Sequence, residues 1–196
     1  MWFLVLGAVL LAAAIAAGIA WATLRDGGSA QASGVDGACV RQTFPPVGRQ
    51  HVEELADDFK YSSFPPTSGP HFGIPAVYNV YEEPVPEIRL VHNLEHGAVV
   101  VQYGSEVPRQ TVQQIVDWYA ESPEGLIVAP LPESMDEAAA PPPDAQRKIF
   151  LTAWTHLATC TAFDEDAFDN FLDDYRGPDG DAPEKFPLSA LQPGST

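Results

Sequence analysis

The sequence contains few cysteines, few methionines and few basic residues. Its 196 residues include two cysteines, two methionines and 10 Lys and Arg against 27 Asp and Glu, so the formal net charge is -17 at pH 7. Nucleic acids and anionic lipid headgroups are disfavoured as partners, because both bind through Lys and Arg that displace counterions. The acidic excess is explained by solubility alone. The sequence also lacks a G-x-S-x-G elbow, a phosphate loop and a dinucleotide fingerprint, which argues against serine hydrolases and nucleotide-dependent enzymes.

The first 25 residues differ from the rest of the chain. Residues 2–24 form an apolar run without a charged side chain, and about 20 such residues cross the hydrocarbon core of a bilayer. We predict that residues 1–25 are an uncleaved single-pass membrane anchor. The alternative is an export signal cleaved at the small-x-small site Ala20, Trp21 and Ala22. Because Arg25 is followed by Asp26, the flanking charge does not orient the segment.

The two cysteines, Cys39 and Cys160, lie near opposite ends of the remaining chain. A cysteine pair behind an export-type segment predicts a disulfide, and therefore a domain outside the cytoplasm. In the chain-entropy model, closing so long a loop stabilises the fold by roughly 4 to 5 kcal/mol. The alternative is two separate buried thiols. A catalytic redox pair is disfavoured because C-x-x-C spacing is missing.

Three further regions follow the apolar segment. Residues 26–37 are rich in Gly, Ser and Ala, a composition typical of a flexible tether. Residues 38–186 are long enough for one domain with its own core. Residues 187–196 are expected to form a disordered tail. The predicted protein is thus one domain attached to the membrane through its N-terminal helix, or secreted if the segment is cleaved.

Hydrophobic periodicity within the domain predicts alternating strands and helices. Strand patterns occupy residues 89–103, 126–128 and 148–159, and the apolar stripe of an amphipathic helix occupies residues 111–120. Asp164 can cap a second helix that Gly177 and Pro178 would stop. The order β-α-β-β-α predicts an α+β fold, with an antiparallel or mixed sheet and helices packed on one face. The proline-rich region 40–86 is expected to form long ordered loops over that sheet.

Four of the five histidines lie between residues 51 and 96. His71 ends the motif PPTSGPH, residues 65–71, in which three prolines restrict the backbone and Gly69 permits conformations closed to other residues. Thr67 and Ser68 can add side-chain turns that hold the loop in place. Such a loop is rigid and can hold the imidazole of His71 in a fixed position.

A second motif, VHNLEHG, occupies residues 91–97. His92 and His96 are spaced i, i+4, and therefore lie on one side of either a helix or a strand. The valines after Gly97 favour a strand. In a helix, Glu95 could instead lie beside His96 as a ligand or as an orienting carboxylate. The pattern H-x-x-E-H matches a metallopeptidase class that requires a helix, so the predicted strand argues against that class.

These two motifs, together with His51 and the strand around Thr152, resemble the bacterial domain of unknown function 3105 family of membrane-tethered or exported proteins. The resemblance covers roughly residues 51–175 and implies no particular reaction. It supports the domain boundaries and the importance of the motif residues. Those that support the two histidine segments are Thr67, Ser68, Gly69, Asn93 and Gly97. His156 lies outside the pattern and has no predicted role.

The leading hypothesis from the sequence is a transition-metal site in which His71, His92 and His96 are ligands, with His51 or Glu95 assisting. Imidazoles with one carboxylate favour Zn or Cu over Mg or Ca. The two methionines, Met1 and Met135, are too few for a Cu(I) site.

Three alternatives remain open, and the sequence does not decide whether the protein is an enzyme. An open coordination position would make the site a metal-assisted hydrolase. A non-enzymatic cell-envelope interaction module would use Phe72, Tyr78 and Tyr81 as a surface for a protein partner of unknown identity. In the third alternative, His71 hydrogen-bonds a backbone carbonyl and Glu95 pairs with a nearby basic side chain to join two loops.

Overall fold

The computed structural model of the chain describes residues 31–133 and 139–196. The predicted anchor, residues 1–25, lies outside the described residues. No helix within the described ranges is long and apolar enough to cross a membrane. The main sheet contains β1 (Gln31–Asp36), β2 (Cys39–Thr43), β5 (Val99–Tyr103), β6 (Leu126–Pro130), β7 (Ile149–Ala153) and β8 (His156–Cys160), and a separate two-stranded sheet contains β3 (His51–Val52) and β4 (His71–Phe72). The helices are α1 (Glu87–Glu95), α2 (Arg109–Glu121) and α3 (Glu165–Tyr175).

The six strands of the main sheet follow the order β1-β2-β8-β7-β5-β6. Strands β5 and β6 are parallel, and the other neighbours are antiparallel. Helix α2 connects the parallel pair, as a crossover between parallel strands requires. The prediction of an α+β fold with a mixed sheet is therefore confirmed.

Both faces of the main sheet are covered. Val99 and Val101 of β5 pack with α2 and α3, whereas Val100 packs with α1 on the opposite face. All three valines are fully buried, as expected of a strand with helices or loops on both sides. The two predicted helices, α2 and α3, share one face. The expectation that helices cover only that face is wrong, because α1 covers the other.

Helix α1 occupies residues that we predicted as a strand. Leu90, Val91 and Leu94 are buried against the sheet, and their spacing fits one side of a helix. The prediction assigned this helix and β5 to a single strand, because the valines of β5 dominate the hydrophobic pattern of the segment. Gly97 separates the two elements: its φ is 95°, and its N–H donates to the Leu94 carbonyl at 3.1 Å. A Cβ atom at Gly97 would lie 3.0 Å from the Gly177 carbonyl oxygen, so the position also requires a small residue.

The predicted disulfide between Cys39 and Cys160 is confirmed. The two residues lie directly opposite each other in β2 and β8, and both are buried against the core beneath α3. The bond therefore fixes the N-terminal strands to the centre of the sheet.

Both terminal predictions require correction. The predicted tether forms strand β1 from Gln31 onward and pairs with β2, with a register shift between Ala32 and Gly34. The predicted tail is packed rather than disordered, since Leu191 is 1% exposed and joins the core beneath α1. Tyr78 also exchanges backbone hydrogen bonds with Gly194 and Ser195. Both segments are short and mostly polar, so their sequences did not predict these contacts.

Glu87, in the first turn of α1, gives the fold a pH dependence that can be tested. Its Oε1 accepts a hydrogen bond from Gln102 Nε2 at 2.6 Å, and burial raises the pKa of Glu87 from 4.5 to about 7. The folded state therefore holds a proton that the unfolded state releases, so the Glu87 contribution to the free energy of unfolding falls as pH rises from about 4.5 to about 7. We expect Glu87→Gln to remove this decline. Denaturant unfolding at about pH 5 and pH 7.5 measures it.

The variant Glu83→Gln, which removes a charge from an exposed position, is the control for Glu87→Gln. The stability advantage of Glu87→Gln over the wild type should grow between the two pH values, whereas that of Glu83→Gln should not. Equal pH profiles for wild type and Glu87→Gln would contradict the assignment.

Candidate metal centre

The small sheet and helix α1 bring four potential ligands together. Strands β3 and β4 are parallel and place His51 directly opposite His71. Helix α1 packs against β4 and contributes His92 and Glu95, which lie one turn apart. One nitrogen or oxygen from each of these four residues lies within 4.8 Å of the others. The ring centroids of the three histidines are 4.6 to 4.9 Å apart.

The loop of the PPTSGPH motif holds His71 through hydrogen bonds. The Nδ1 atom of His71 lies 2.8 Å from the Gly69 carbonyl oxygen, which can only accept, so Nδ1 carries the proton. Gly69 adopts a φ of 140°, a conformation available chiefly to glycine. Thr67 contacts Ser63 Oγ at 3.0 Å, and the Ser68 hydroxyl accepts from the Val47 N–H at 3.3 Å. These motif residues therefore support the ligand by holding its loop.

His92 is oriented in the same way as His71. Its Nδ1 donates to the Phe72 carbonyl oxygen at 2.7 Å, which leaves the Nε2 lone pair directed away from that bond. Histidines that bind metals typically donate their second ring N–H to a carbonyl or carboxylate in this manner. Burial lowers the pKa of His92 to about 4, a shift that the Phe72 hydrogen bond opposes and the neighbouring histidines reinforce. His92 is therefore neutral near pH 7, as a metal ligand must be.

Glu95 places a buried carboxylate among the three imidazoles. Its side chain is 4% exposed, and its Oε2 lies 2.9 Å from His71 Nε2 and 3.6 Å from His51 Nε2. Within the described part of the chain, His71 Nε2 has no hydrogen-bond partner despite its complete burial. If Nδ1 carries the only proton of the ring, the lone pair of His71 Nε2 faces a carboxylate oxygen. Such a contact requires a cation, either a proton or a metal ion, between the two atoms.

The structure places His96 outside this group, although the sequence predicts it as a principal ligand. His96 follows the last residue of α1 and turns toward the C-terminal segment, where its ring stacks on Phe186 at 4.3 Å. Its Nε2 lies 3.3 Å from Glu184 Oε2. The i, i+4 spacing does bring the rings of His92 and His96 together, with centroids 4.6 Å apart, but it does not direct the His96 Nε2 toward the other ligands.

The remaining motif residues have structural roles around the centre. The Asn93 side chain accepts from the Ala76 N–H at 2.9 Å and donates to the Ala76 carbonyl at 2.8 Å. This pair of bonds attaches the segment after β4 to α1, and so helps to position the Phe72 carbonyl. Gly97 ends the helix that carries His92 and Glu95. One alternative from the sequence gave His71 a backbone carbonyl as its partner, and Gly69 provides it. The Phe72 carbonyl that orients His92 was missed, because backbone groups leave no signal in a sequence.

His156 lies apart from the centre. Its Nε2 is 2.9 Å from Asp181 Oδ2, its Nδ1 is 3.2 Å from Thr43 Oγ1, and its ring stacks on Tyr175. Burial lowers the pKa of His156, although its hydrogen bond to Asp181 opposes that shift. These contacts account for His156 as a residue that joins β8 to the C-terminal segment.

The structure bears on the metallopeptidase pattern and on the expected partner surface. The H-x-x-E-H pattern does begin on a helix, but the metallopeptidase arrangement uses both histidines as ligands, and His96 is directed elsewhere. Tyr78 cannot contribute to the expected partner surface of Phe72, Tyr78 and Tyr81, because it is completely buried in the core beneath α1.

The chain matches one family model, described as "Protein of unknown function (DUF3105)", over residues 51–187. The match includes both histidine motifs and all four residues of the candidate centre. No curated protein and no solved structure matches the chain. Since the matched region is more than half of the 196 residues, the chain belongs to the DUF3105 family.

Proposed function

We propose that this domain binds one divalent transition metal ion, Zn(II) or Cu(II), through His51, His71, His92 and Glu95. The observation that carries the proposal is the contact between His71 Nε2 and Glu95 Oε2. Both atoms are buried and 2.9 Å apart, and the nitrogen has no hydrogen-bond partner among the described residues. A metal ion bound by both atoms would remove the repulsion between them.

The dimensions of the group support a four-coordinate ion. Zinc ligands lie about 2.0 to 2.2 Å from the ion, so neighbouring ligand atoms in a tetrahedral site are roughly 3.3 Å apart. The distances from Glu95 Oε2 to the Nε2 atoms of His71 and His51, 2.9 and 3.6 Å, bracket that value. The widest pair, within 4.8 Å, would need to close by about 1.5 Å. Three imidazoles with one oxygen ligand favour Zn or Cu over Mg or Ca.

A closed set of four ligands also bears on the class of function. Catalytic zinc sites typically keep three protein ligands and an open position for water, whereas four protein ligands are typical of structural or carrier sites. Glu95 is itself one of the four, and cannot at the same time serve as a general base. We therefore favour metal binding without hydrolysis.

The proposal predicts that His96 is dispensable for metal binding, in contrast to the expectation from the sequence. Purified full-length protein, stripped of metal, should bind one Zn(II) or Cu(II) per chain in isothermal titration calorimetry. The variant His96→Gln should bind with nearly the same affinity, because the His96 Nε2 faces Glu184 rather than the centre. A wild-type protein that acquires neither metal would overturn the proposal, and loss of binding in His96→Gln would overturn the ligand assignment.

We also propose that residues 1–25 anchor the protein in the membrane and that the domain lies outside the cytoplasm. The disulfide supports this location, because such bonds persist in oxidising compartments. Secretion after cleavage of the segment is the alternative. N-terminal sequencing of the mature protein, together with protease accessibility in intact cells, distinguishes the two.

A further inference from the structure

His51 differs from the other three proposed ligands in its exposure to solvent. Its side chain is 54% exposed, whereas His71, His92 and Glu95 are buried. Of the four ligands, His51 is thus the one that separates the metal position from solvent. We propose that the ion is exchanged through His51, which leaves the ion first and gives its coordination position to an incoming neutral nitrogen donor. This inference rests on the proposed metal site, and it assigns that site to metal transfer rather than to permanent structural binding.

His51 is also held less firmly than the other two histidines. His71 and His92 each donate an Nδ1 proton to a backbone carbonyl, over 2.8 and 2.7 Å respectively. No described residue forms a comparable hydrogen bond with His51 Nδ1. Such bonds orient a ligating imidazole, and the loss of one typically weakens metal affinity by about 10- to 100-fold. His51 is therefore expected to be the most readily displaced ligand.

The displacement of His51 requires rotation of its side chain alone. The backbone of β3 stays attached, because the His71 N–H donates to the Gln50 carbonyl at 3.0 Å and Val52 pairs with Phe72. Once its bond to the ion breaks, an exposed side chain can change rotamer within nanoseconds, so no part of the fold needs to open. The three buried ligands hold the ion while the fourth position is vacant.

The class of the incoming donor follows from the charge around His51 and from the ligand that it replaces. Residues 51–58 contain four carboxylates and no lysine or arginine, and all four carboxylate residues are exposed. Together with Glu95, this segment attracts cations and repels anionic donors. In the exchange, the bond from the ion to His51 Nε2 breaks and a bond to the incoming nitrogen forms. Both ligands are neutral, so the charge at the centre is unchanged, and an imidazole suits Zn(II) and Cu(II).

Chemical rescue of the full-length protein tests this assignment. Competition against a chromophoric chelator gives the Zn(II) affinity, with and without millimolar imidazole. In His51→Ala the vacated position faces solvent, so imidazole should raise the affinity by about tenfold or more. His71→Ala is the matched control, since it also lacks one imidazole but leaves a buried position that imidazole should not reach. Acetate at the same concentration should rescue neither variant, because it is an anion.

A second variant tests the exchange while all four ligands remain. Gly73 is exposed and has a backbone conformation open to other residues, and a Cβ atom there would lie 3.9 Å from His51 Cβ. Gly73→Ala therefore adds a methyl group in contact with His51. It should slow Zn(II) transfer from the loaded protein to the chelator by about twofold, the scale of a few van der Waals contacts. Stopped-flow absorbance measures the rate.

Three outcomes would overturn the inference in a protein that still binds Zn(II). They are an equal response of His51→Ala and His71→Ala to imidazole, rescue of His51→Ala by acetate as well as by imidazole, and transfer from Gly73→Ala at or above the wild-type rate. A wild-type protein that binds no metal would instead overturn the proposed function itself.

Discussion

Replacement of His71 by alanine is expected to weaken Zn(II) binding by at least about a hundredfold. Loss of an outer hydrogen-bond partner alone can reduce metal affinity by about 10- to 100-fold, and this substitution removes a ligand itself. His71 Nε2 is also the imidazole nitrogen nearest to the buried Glu95 carboxylate, at 2.9 Å. Competition against a chromophoric chelator would measure the change in affinity.

His156→Ala is the matched control for His71→Ala. His156 is also a buried imidazole with two hydrogen-bonding contacts, but it lies outside the candidate centre. Its substitution should lower the stability of the fold and leave the affinity for Zn(II) nearly unchanged. A similar loss of affinity in both variants would indicate general unfolding and would contradict the specific role of His71.

The same variants show whether the cation between His71 and Glu95 is a metal ion or a proton. If a proton on His71 Nε2 joined it to Glu95, the contact would be an ion pair between the loop and α1, and Zn(II) would not stabilise the wild type. If the metal binds, a concentration a hundred times the dissociation constant should raise the free energy of unfolding by about 2.7 kcal/mol. This gain should vanish in His71→Ala.

Removal of the disulfide should have the second large effect. The bond joins residues separated by 121 positions, and a loop of this length corresponds to roughly 4 to 5 kcal/mol in the chain-entropy model. We expect the double variant Cys39→Ala/Cys160→Ala to lose about that much free energy of unfolding. Its melting temperature should fall by on the order of 10 °C. Guanidinium and thermal unfolding measure the two quantities.

Reduced wild-type protein is the control for the double cysteine variant. It retains both sulfur atoms, so it separates the loss of the cross-link from the loss of buried side-chain volume. Both proteins should show similar destabilisation. A loss below about 1 kcal/mol would mean that strain in the folded protein cancels the entropic gain.

The elements that the sequence predicted correctly share strong local signals. Helix α2 carries the stripe that includes Ile115 and Tyr119, both buried in the core. Helix α3 begins at its predicted cap, since the Asp164 side chain accepts from the Ala167 N–H. Helix α1 was missed because it is only nine residues long and is followed directly by a strongly apolar strand.

The sequence predicts which types of residue form the candidate centre, but only partly which individual residues belong to it. His51, His71, His92 and Glu95 were all proposed as ligands, and the structure brings these four together. His96 was included because residues spaced i, i+4 lie on one side of either a helix or a strand; its ring does lie beside His92, but its Nε2 faces Glu184 instead of the other ligands. The pairing of His51 with His71 depends on two strands of two residues each, which are too short to produce a periodic pattern.

The four residues of the centre occupy a short, continuous stretch, which affects the order in which the fold can assemble. His51 and Glu95 are 44 residues apart, whereas the cysteines of β2 and β8 are separated by 121. Because loop-closure entropy grows with the logarithm of length, the shorter loop costs about 0.9 kcal/mol less to close. We expect contacts among these ligands to form earlier in folding than the pairing of β2 with β8. A metal ion present during synthesis would then act as a nucleus around which the later strands are added.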